Sequence, residues 1–350
     1  MTSSATLARP ASPGYGVEPL LSVRDLSVEF ETKRGTVKAV DNVSFDLAPG
    51  ERLAIVGESG SGKSVMSMSL LQLVTYPGKI VSGSAMLEGQ DLLALQGREL
   101  RAIRGSKVTM IFQDPMTSLN PVLRVIDQIT APLKRHLGLS QHAAEQKALE
   151  ALRRVGIPDP ERNIRAFPHE LSGGMRQRVL IAMAVACEPR LLIADEPTTA
   201  LDVTIQAQII ELLKEQAAAL NSAVIFVTHD MGVVARFAHR VGVMYGGRLV
   251  EIGPVEEIFE NPQHPYTRGL LASIPTVGGE MPERLAQIDG TPPDLARLPE
   301  GCSFAPRCDL VQGRCRQVRP ELTRRGTNHE AACLVTETEP GGAQWRQPNH

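Results

Sequence analysis

The chain predicts an α/β fold: a parallel sheet with helices on its faces, an antiparallel β subdomain, a helical subdomain insert and a small Cys-containing C-terminal appendage. Three observations carry this. Short apolar runs at Arg52-Leu53-Ala54-Ile55-Val56, 190–195 and 223–228 read as buried strands, and a helical stretch from Ile205 to Leu220 separates the last two. Such strand–helix–strand alternation implies parallel pairing. Residues 20–56 instead alternate apolar and polar positions, as in Val28-Glu29-Phe30 and Val43-Ser44-Phe45-Asp46-Leu47, the pattern of half-exposed antiparallel strands. From about Leu92 to Val185 the pattern is mostly helical, which places an insert between the first buried strand and the other two.

Taken in order, residues 1–19 are rich in Ser, Ala, Pro and Gly, lack a charged-then-apolar signal pattern and read as a flexible tail. The helix after Lys63 keeps its apolar residues on one face through Leu73, and Gly78, Gly83 and Gly89 then punctuate short strands. Turns at Pro115, Pro121, Gly138, Pro158-Asp159-Pro160 and Pro168 divide the helical insert, placed at about 114–185. Composition changes after Glu260, where Pro, Arg and Gly become frequent. The main unit is therefore expected at 20–260, an appendage at 261–336 and a polar tail at 337–350.

At 350 residues the chain exceeds one typical domain, and a formal charge of −2 without a basic stripe argues against a nucleic-acid partner. No run of eighteen apolar residues occurs, so the chain does not span a membrane alone, and a cytosolic setting is expected. Of the five cysteines, Cys187 lies in an apolar helical stretch as a small hydrophobe, whereas Cys302, Cys308, Cys315 and Cys333 crowd the C-terminal region. In a reducing compartment that cluster points to a metal site rather than to disulfides.

The chemistry is concentrated in a few short motifs. Gly57-Glu58-Ser59-Gly60-Ser61-Gly62-Lys63-Ser64 follows a buried strand and opens a helix, the context that a phosphate loop requires. Its glycines let backbone N–H groups curl around phosphates, Lys63 adds a point charge, and the Ser64 hydroxyl suits Mg²⁺. Asp195 ends the strand Leu191-Leu192-Ile193-Ala194, where a carboxylate reaches Mg²⁺ through its water shell. Glu196, the next residue, is placed to polarise an attacking water as general base. His229 follows the strand Ala223 to Val227 and should emerge on the same sheet edge. Gln113 ends another strand-like run; its amide can sense both Mg²⁺ and water, coupling the insert to nucleotide state.

With Leu171-Ser172-Gly173-Gly174-Met175 standing between the phosphate loop and the acidic strand end, the set resembles the ATP-binding subunit of an ABC transporter, a P-loop NTPase. The matched pieces are Walker A at 57–64, the Q-loop Gln113, the signature at 171–175, Walker B at 191–196, the D-loop Ala200-Leu201-Asp202 and the H-loop His229. The resemblance implies a head-to-tail dimer of nucleotide domains with two ATP molecules between them. Each ATP lies between one subunit's Walker A and the other's signature, so that Ser172, Gly173 and Gly174 serve the partner's γ-phosphate from a helix N-terminus. It also places Phe30 where the family stacks an aromatic, more usually Tyr, on adenine; an edge-strand Phe is equally often core packing.

Several stretches narrow the resemblance to the oligopeptide/dipeptide importer branch, which includes importers of nickel and of other solutes: Phe112-Gln113-Asp114-Pro115-Met116-Thr117-Ser118-Leu119-Asn120-Pro121, the run from Arg176-Gln177-Arg178-Val179 through Thr199 to Gln208, and His264-Pro265-Tyr266-Thr267. The run Ile181 to Cys187 looks like the D-type ATPase. The resemblance implies a heterodimer with an F-type ATPase, two permeases and an extracytoplasmic substrate-binding protein, with the chain peripheral on the cytoplasmic membrane face. The spacing Cys302-x5-Cys308-x6-Cys315-x17-Cys333 is neither a zinc-finger nor a bacterial ferredoxin pattern. The branch has such an extension, and a [4Fe–4S] cluster is expected there, with Zn²⁺ or free thiols as alternatives; its role would be structural. A soluble ABC ATPase acting on nucleic acid or ribosomes is the rival class, but two cassettes, long coiled-coil insertions and basic patches are all missing. The cargo is written in proteins other than this one.

Overall fold

The computed structural model describes residues 18–33, 35–113, 118–199, 202–274 and 288–337. Strands β1 (Leu21–Thr32) and β2 (Gly35–Leu47) pair antiparallel, and β4 (Gly78–Leu87) with β5 (Gln90–Asp91) completes a four-stranded sheet of order β2-β1-β4-β5. The second sheet has eight strands in the order β11 (Thr323–Gly326), β12 (His329–Ala331), β10 (Arg248–Pro254), β9 (Arg240–Tyr245), β3 (Arg52–Val56), β8 (Ala223–Thr228), β7 (Leu191–Asp195) and β6 (Val108–Ile111). Its parallel centre comprises β3 (Arg52–Val56), β6 (Val108–Ile111), β7 (Leu191–Asp195), β8 (Ala223–Thr228) and β9 (Arg240–Tyr245). Strand β10 (Arg248–Pro254) runs antiparallel to β9.

The parallel strands read as unbroken apolar runs because both of their faces are covered. With side chains alternating at period two, Leu53 and Ile55 of β3 and Ile225 and Val227 of β8 enter the cluster under the antiparallel sheet. On the opposite face, Val224 and Phe226 join the helical layer, while Ala54 and Val56 join a third cluster around Tyr245, Tyr266 and Phe304. Helix α1 (Lys63–Leu70) follows β3, and α2 (Gly97–Ile103) precedes β6. The insert packs α3 (Val125–Leu137), α4 (Gln141–Arg154) and α5 (Gly173–Val185) into one apolar cluster with α6 (Val203–Leu220). Helices α7 (Met231–Phe237), α8 (Val255–Glu260) and α9 (Pro265–Ala272) come after β8, β10 and the turn at 261–264.

Two features go beyond the sequence reading. The β9–β10 hairpin was not among the expected strands; its signal is the Gly246-Gly247 pair, whose φ values of +57 and +80 give the left-handed turn that suits twisted strands. Strands β11 (Thr323–Gly326) and β12 (His329–Ala331), inside the segment read as an appendage, extend the main sheet through Glu251↔Ala331 and Ile252↔Glu330.

Candidate nucleotide site

The loop at 57–64 is stretched between β3 and α1, and two of its glycines are obligatory. Gly57 (φ +150) would carry a Cβ 2.2 Å from the Met244 carbonyl oxygen, and Gly62 (φ +101) one 2.2 Å from the Ala39 carbonyl oxygen. At Gly60 (φ +78) a Cβ would meet nothing within 4 Å, so this side of the loop is open, and Ser59 beside it is exposed. Lys63, 5% exposed, donates to the carbonyls of Gly57 at 2.8 Å and Glu58 at 2.9 Å, with the Ser61 hydroxyl at 3.5 Å. Burial lowers the Lys63 pKa, opposed by the carboxylates of Glu196, Asp195 and Glu58. A phosphate at the loop would offset that loss of solvent.

The strand ends bring the acids to the same edge. Ser64 Oγ donates to Asp195 Oδ1 at 2.9 Å. Burial raises the Asp195 pKa, the Ser64 hydrogen bond lowers it, Glu196 raises it and Lys63 lowers it. A buried carboxylate touching a hydroxyl suits a hard divalent cation such as Mg²⁺, which takes oxygen ligands. Glu196, the first residue beyond β7, takes a left-handed backbone (φ +46). Its carboxylate accepts from Gln113 Nε2 at 3.0 Å and Thr199 Oγ1 at 3.0 Å, and lies 3.3 Å from His229 Nδ1. Gln113, Asp195, Glu196 and His229 thus meet at one edge, although Gln113 bonds Glu196 rather than the Ser64–Asp195 pair. Thr199 was missed by the sequence reading; its only signal is a hydroxyl three residues beyond Glu196.

The signature forms a second group. Leu171 is buried, Ser172 and Gly173 are exposed, and Met175 packs half-buried against the helical cluster. Ser172 caps α5 by accepting from the Met175 N–H at 3.3 Å, while a Cβ at Gly173 would meet nothing within 4 Å. A Cβ at Gly174 would lie 3.3 Å from Ile205 Cγ2, so the signature helix abuts α6, whose N-cap Asp202 accepts from the Ile205 N–H at 2.9 Å. Ala200 and Leu201 of the expected D-loop, and 114–117 of the branch motif, lie outside the described residues. Phe30 pairs across from Gly78, where a Cβ would fall 2.6 Å from its ring, and packs half-buried against the core.

The expected metal ligand set is not formed as such. Cys302, Cys308, Cys315 and Cys333 all line one small cavity with Phe304 and His264, but its free volume is only about 10 Å³. Among the described residues no three His, Cys, Asp or Glu side chains are arranged to hold a metal ion. Burial pushes the Cys302 thiol up and the Cys308 thiol to about 11, so both are neutral thiols at pH 7 here. Cys187 is a buried free thiol.

Known proteins resemble this chain in sequence and fold. Residues 40–199 match the ABC transporter family, and residues 250–315 match the family described as oligopeptide/dipeptide transporter, C-terminal region. The dipeptide transport ATP-binding protein DppD of Bacillus subtilis (strain 168) is 53% identical over 322 residues, covering 92% of this chain and 96% of that one. The oligopeptide transport ATP-binding protein OppD of the same organism is 55% identical over 292 residues, covering 83% and 82%. A solved dimeric ATP-binding cassette, in a post-hydrolysis state bound to ADP and Pi, superposes with a TM-score of 0.61 at 29% identity, over 67% of this chain and 98% of that one. Fold and site together define an ABC-type ATPase. The chain belongs to the ATP-binding proteins of ABC transporters, in the branch with the oligopeptide/dipeptide transporter C-terminal region.

Proposed function

We propose that this ATPase powers import of di- and oligopeptides through a membrane transporter, working as a pair with a second, related ATPase subunit of the F-type. Two permeases and an extracytoplasmic binding protein complete the assembly. Similarity to peptide-transport relatives over most of both chains supports the cargo class. Among the described residues no helix is long and apolar enough to cross a membrane, in keeping with a peripheral place on the cytoplasmic face beside the permeases.

The observation that carries the chemistry is the meeting of Ser64–Asp195 with the Glu196 cluster beside the phosphate loop. In this reading the amides of 57–62 and Lys63 hold the phosphates, and Ser64 and Asp195 hold Mg²⁺, which supplies charge neutralisation when bound. Glu196 takes the proton of the attacking water, while Gln113, Thr199 and His229 hold its carboxylate. Gln113 also reports nucleotide state to the insert. Ser172, Gly173 and Gly174, between Leu171 and Met175, serve the ATP of the partner subunit, and Asp202 faces the same interface. Phe30 is proposed against adenine.

Replacing Glu196 by Gln keeps the size and removes the base, so kcat should fall by about a hundredfold or more while ATP binding persists. Unchanged hydrolysis would remove Glu196 from this role. Reconstitution with the permeases and competition between dipeptides and nickel for uptake tests the cargo. For the cysteines we propose a [4Fe–4S] cluster, with Zn²⁺ as the alternative, on the convergence of the four side chains on one cavity, although at about 10 Å³ that cavity is too small for either as it stands. Cation binding would have to expel the protons of Cys302 and Cys308 and open the cavity. Anaerobically prepared protein should then carry about four irons per chain and absorb near 400 nm; zinc alone would replace the cluster reading, and no metal would end both.

A further inference from the structure

Among the described residues, Glu58 is the phosphate-loop side chain gripped by the C-terminal segment. Its carboxylate receives both terminal nitrogens of Arg307, at 2.7 and 3.0 Å, although the two residues are 249 positions apart. Its backbone N–H donates to the Tyr266 hydroxyl at 2.8 Å. The same residue's carbonyl accepts from Lys63 Nζ at 2.9 Å. One residue of the loop therefore joins the C-terminal segment to the lysine that meets the phosphates.

Both gripping side chains are themselves immobilised. The Arg307 side chain is 5% exposed, and its fork also donates to the carbonyls of Asp289 at 2.9 Å and Ile288 at 3.1 Å. Tyr266 is fully buried, with ring centroids of Tyr245 at 4.5 Å and Phe304 at 5.5 Å. It stands in the first turn of α9, begun by Pro265 and capped by His264 Nδ1, which accepts from the Tyr266 N–H at 3.1 Å. A planar guanidinium paired two-for-two with a carboxylate fixes orientation as well as position. The loop it holds contains Gly57, Gly60 and Gly62, and glycine backbones lose the most freedom when ordered. Fixing Glu58 in advance removes part of that loss from nucleotide binding.

We infer that Arg307 and Tyr266 are positioning residues for the phosphate loop, so that ATP affinity depends on a C-terminal segment that need not touch the nucleotide. The inference rests on the assignment of 57–64 as the phosphate-binding loop.

The test is a double-mutant cycle in the full chain, with MgATP titrated at fixed salt. Glu58→Gln and Arg307→Gln should each raise the KM for MgATP by about tenfold, the loss falling on KM more than on kcat, and the double variant should be no worse than either single one. Tyr266→Phe keeps the buried ring and removes the acceptor, so it should raise KM several-fold and speed amide exchange at 57–62 even if Arg307→Gln disturbs folding. An unaltered KM in Glu58→Gln and Tyr266→Phe, or additive losses in the cycle, would overturn the inference. Lys63→Ala separates the two readings: if it still binds MgATP normally, the loop assignment itself fails.

Discussion

At the scale of single residues, the loop depends on backbone shapes that only some side chains tolerate. Gly62 combines φ +101 with a 2.2 Å approach to the Ala39 carbonyl, whereas Gly60 at φ +78 has open space around it. Gly62→Ala is expected to abolish MgATP binding and lower the melting temperature, because backbone of neighbouring segments must move. Gly60→Ala meets only the left-handed backbone strain, of about 1–3 kcal/mol, and should weaken binding less. Equilibrium binding and thermal unfolding of the two variants check this; equal effects would refute the distinction. Glu196 shows the same principle without glycine. Its φ of +46 is a strained backbone at the point where the carboxylate must leave the strand.

At the scale of elements, α9 shows how a short helix is seated by its cap. His264 is fully buried, and burial, opposed by Glu251 and assisted by Arg268, pushes its pKa down to about 4. Neutral at pH 7, its Nδ1 is free to accept from the Tyr266 N–H. In the unfolded chain the same imidazole titrates near 6.5, so between about 6.5 and 4 the unfolded state binds the proton and the folded state does not. Stability should therefore fall as pH drops through that window, by up to roughly 1.4 kcal/mol per unit from this group. Denaturant midpoints at pH 7 and pH 5 measure the effect, and His264→Asn, which can still cap, should flatten the slope. A slope unchanged by that substitution would assign it to other groups. The strand ends bearing Asp195, Glu196 and His229 were readable because each is a contiguous apolar run with a polar terminus. The β9–β10 hairpin is announced in the sequence by Gly246-Gly247 alone.

At the scale of the whole molecule, the C-terminal segment is built into the main sheet. Glu251 of β10 has no exposed surface and accepts from the Gln263 N–H at 2.6 Å and the His264 N–H at 2.9 Å, with His329 Nε2 at 2.7 Å. All three partners lie beyond residue 260. Ending the chain after Glu260 would leave that buried carboxylate unsatisfied and strip β12 from the β10 edge, both costly and prone to aggregation. Such a truncation is expected to unfold at markedly lower temperature or to aggregate, by scanning calorimetry and size-exclusion chromatography. A monomeric truncation with the original melting temperature would contradict this.

The sequence by itself determined the nucleotide chemistry and the fold class. A phosphate loop, a strand ending in acid and a helix opened by Ser-Gly-Gly are local patterns, each written in a few consecutive residues. Only the tertiary structure decided what holds those parts still. Arg307 finds Glu58 from 249 positions away, and His329 finds Glu251 from 78, pairings with no period and no composition to announce them. Arg307 meets Glu58 before the chain enters β11, and His329 reaches Glu251 from β12, which pairs with β10; in both places a buried charge has found its partner.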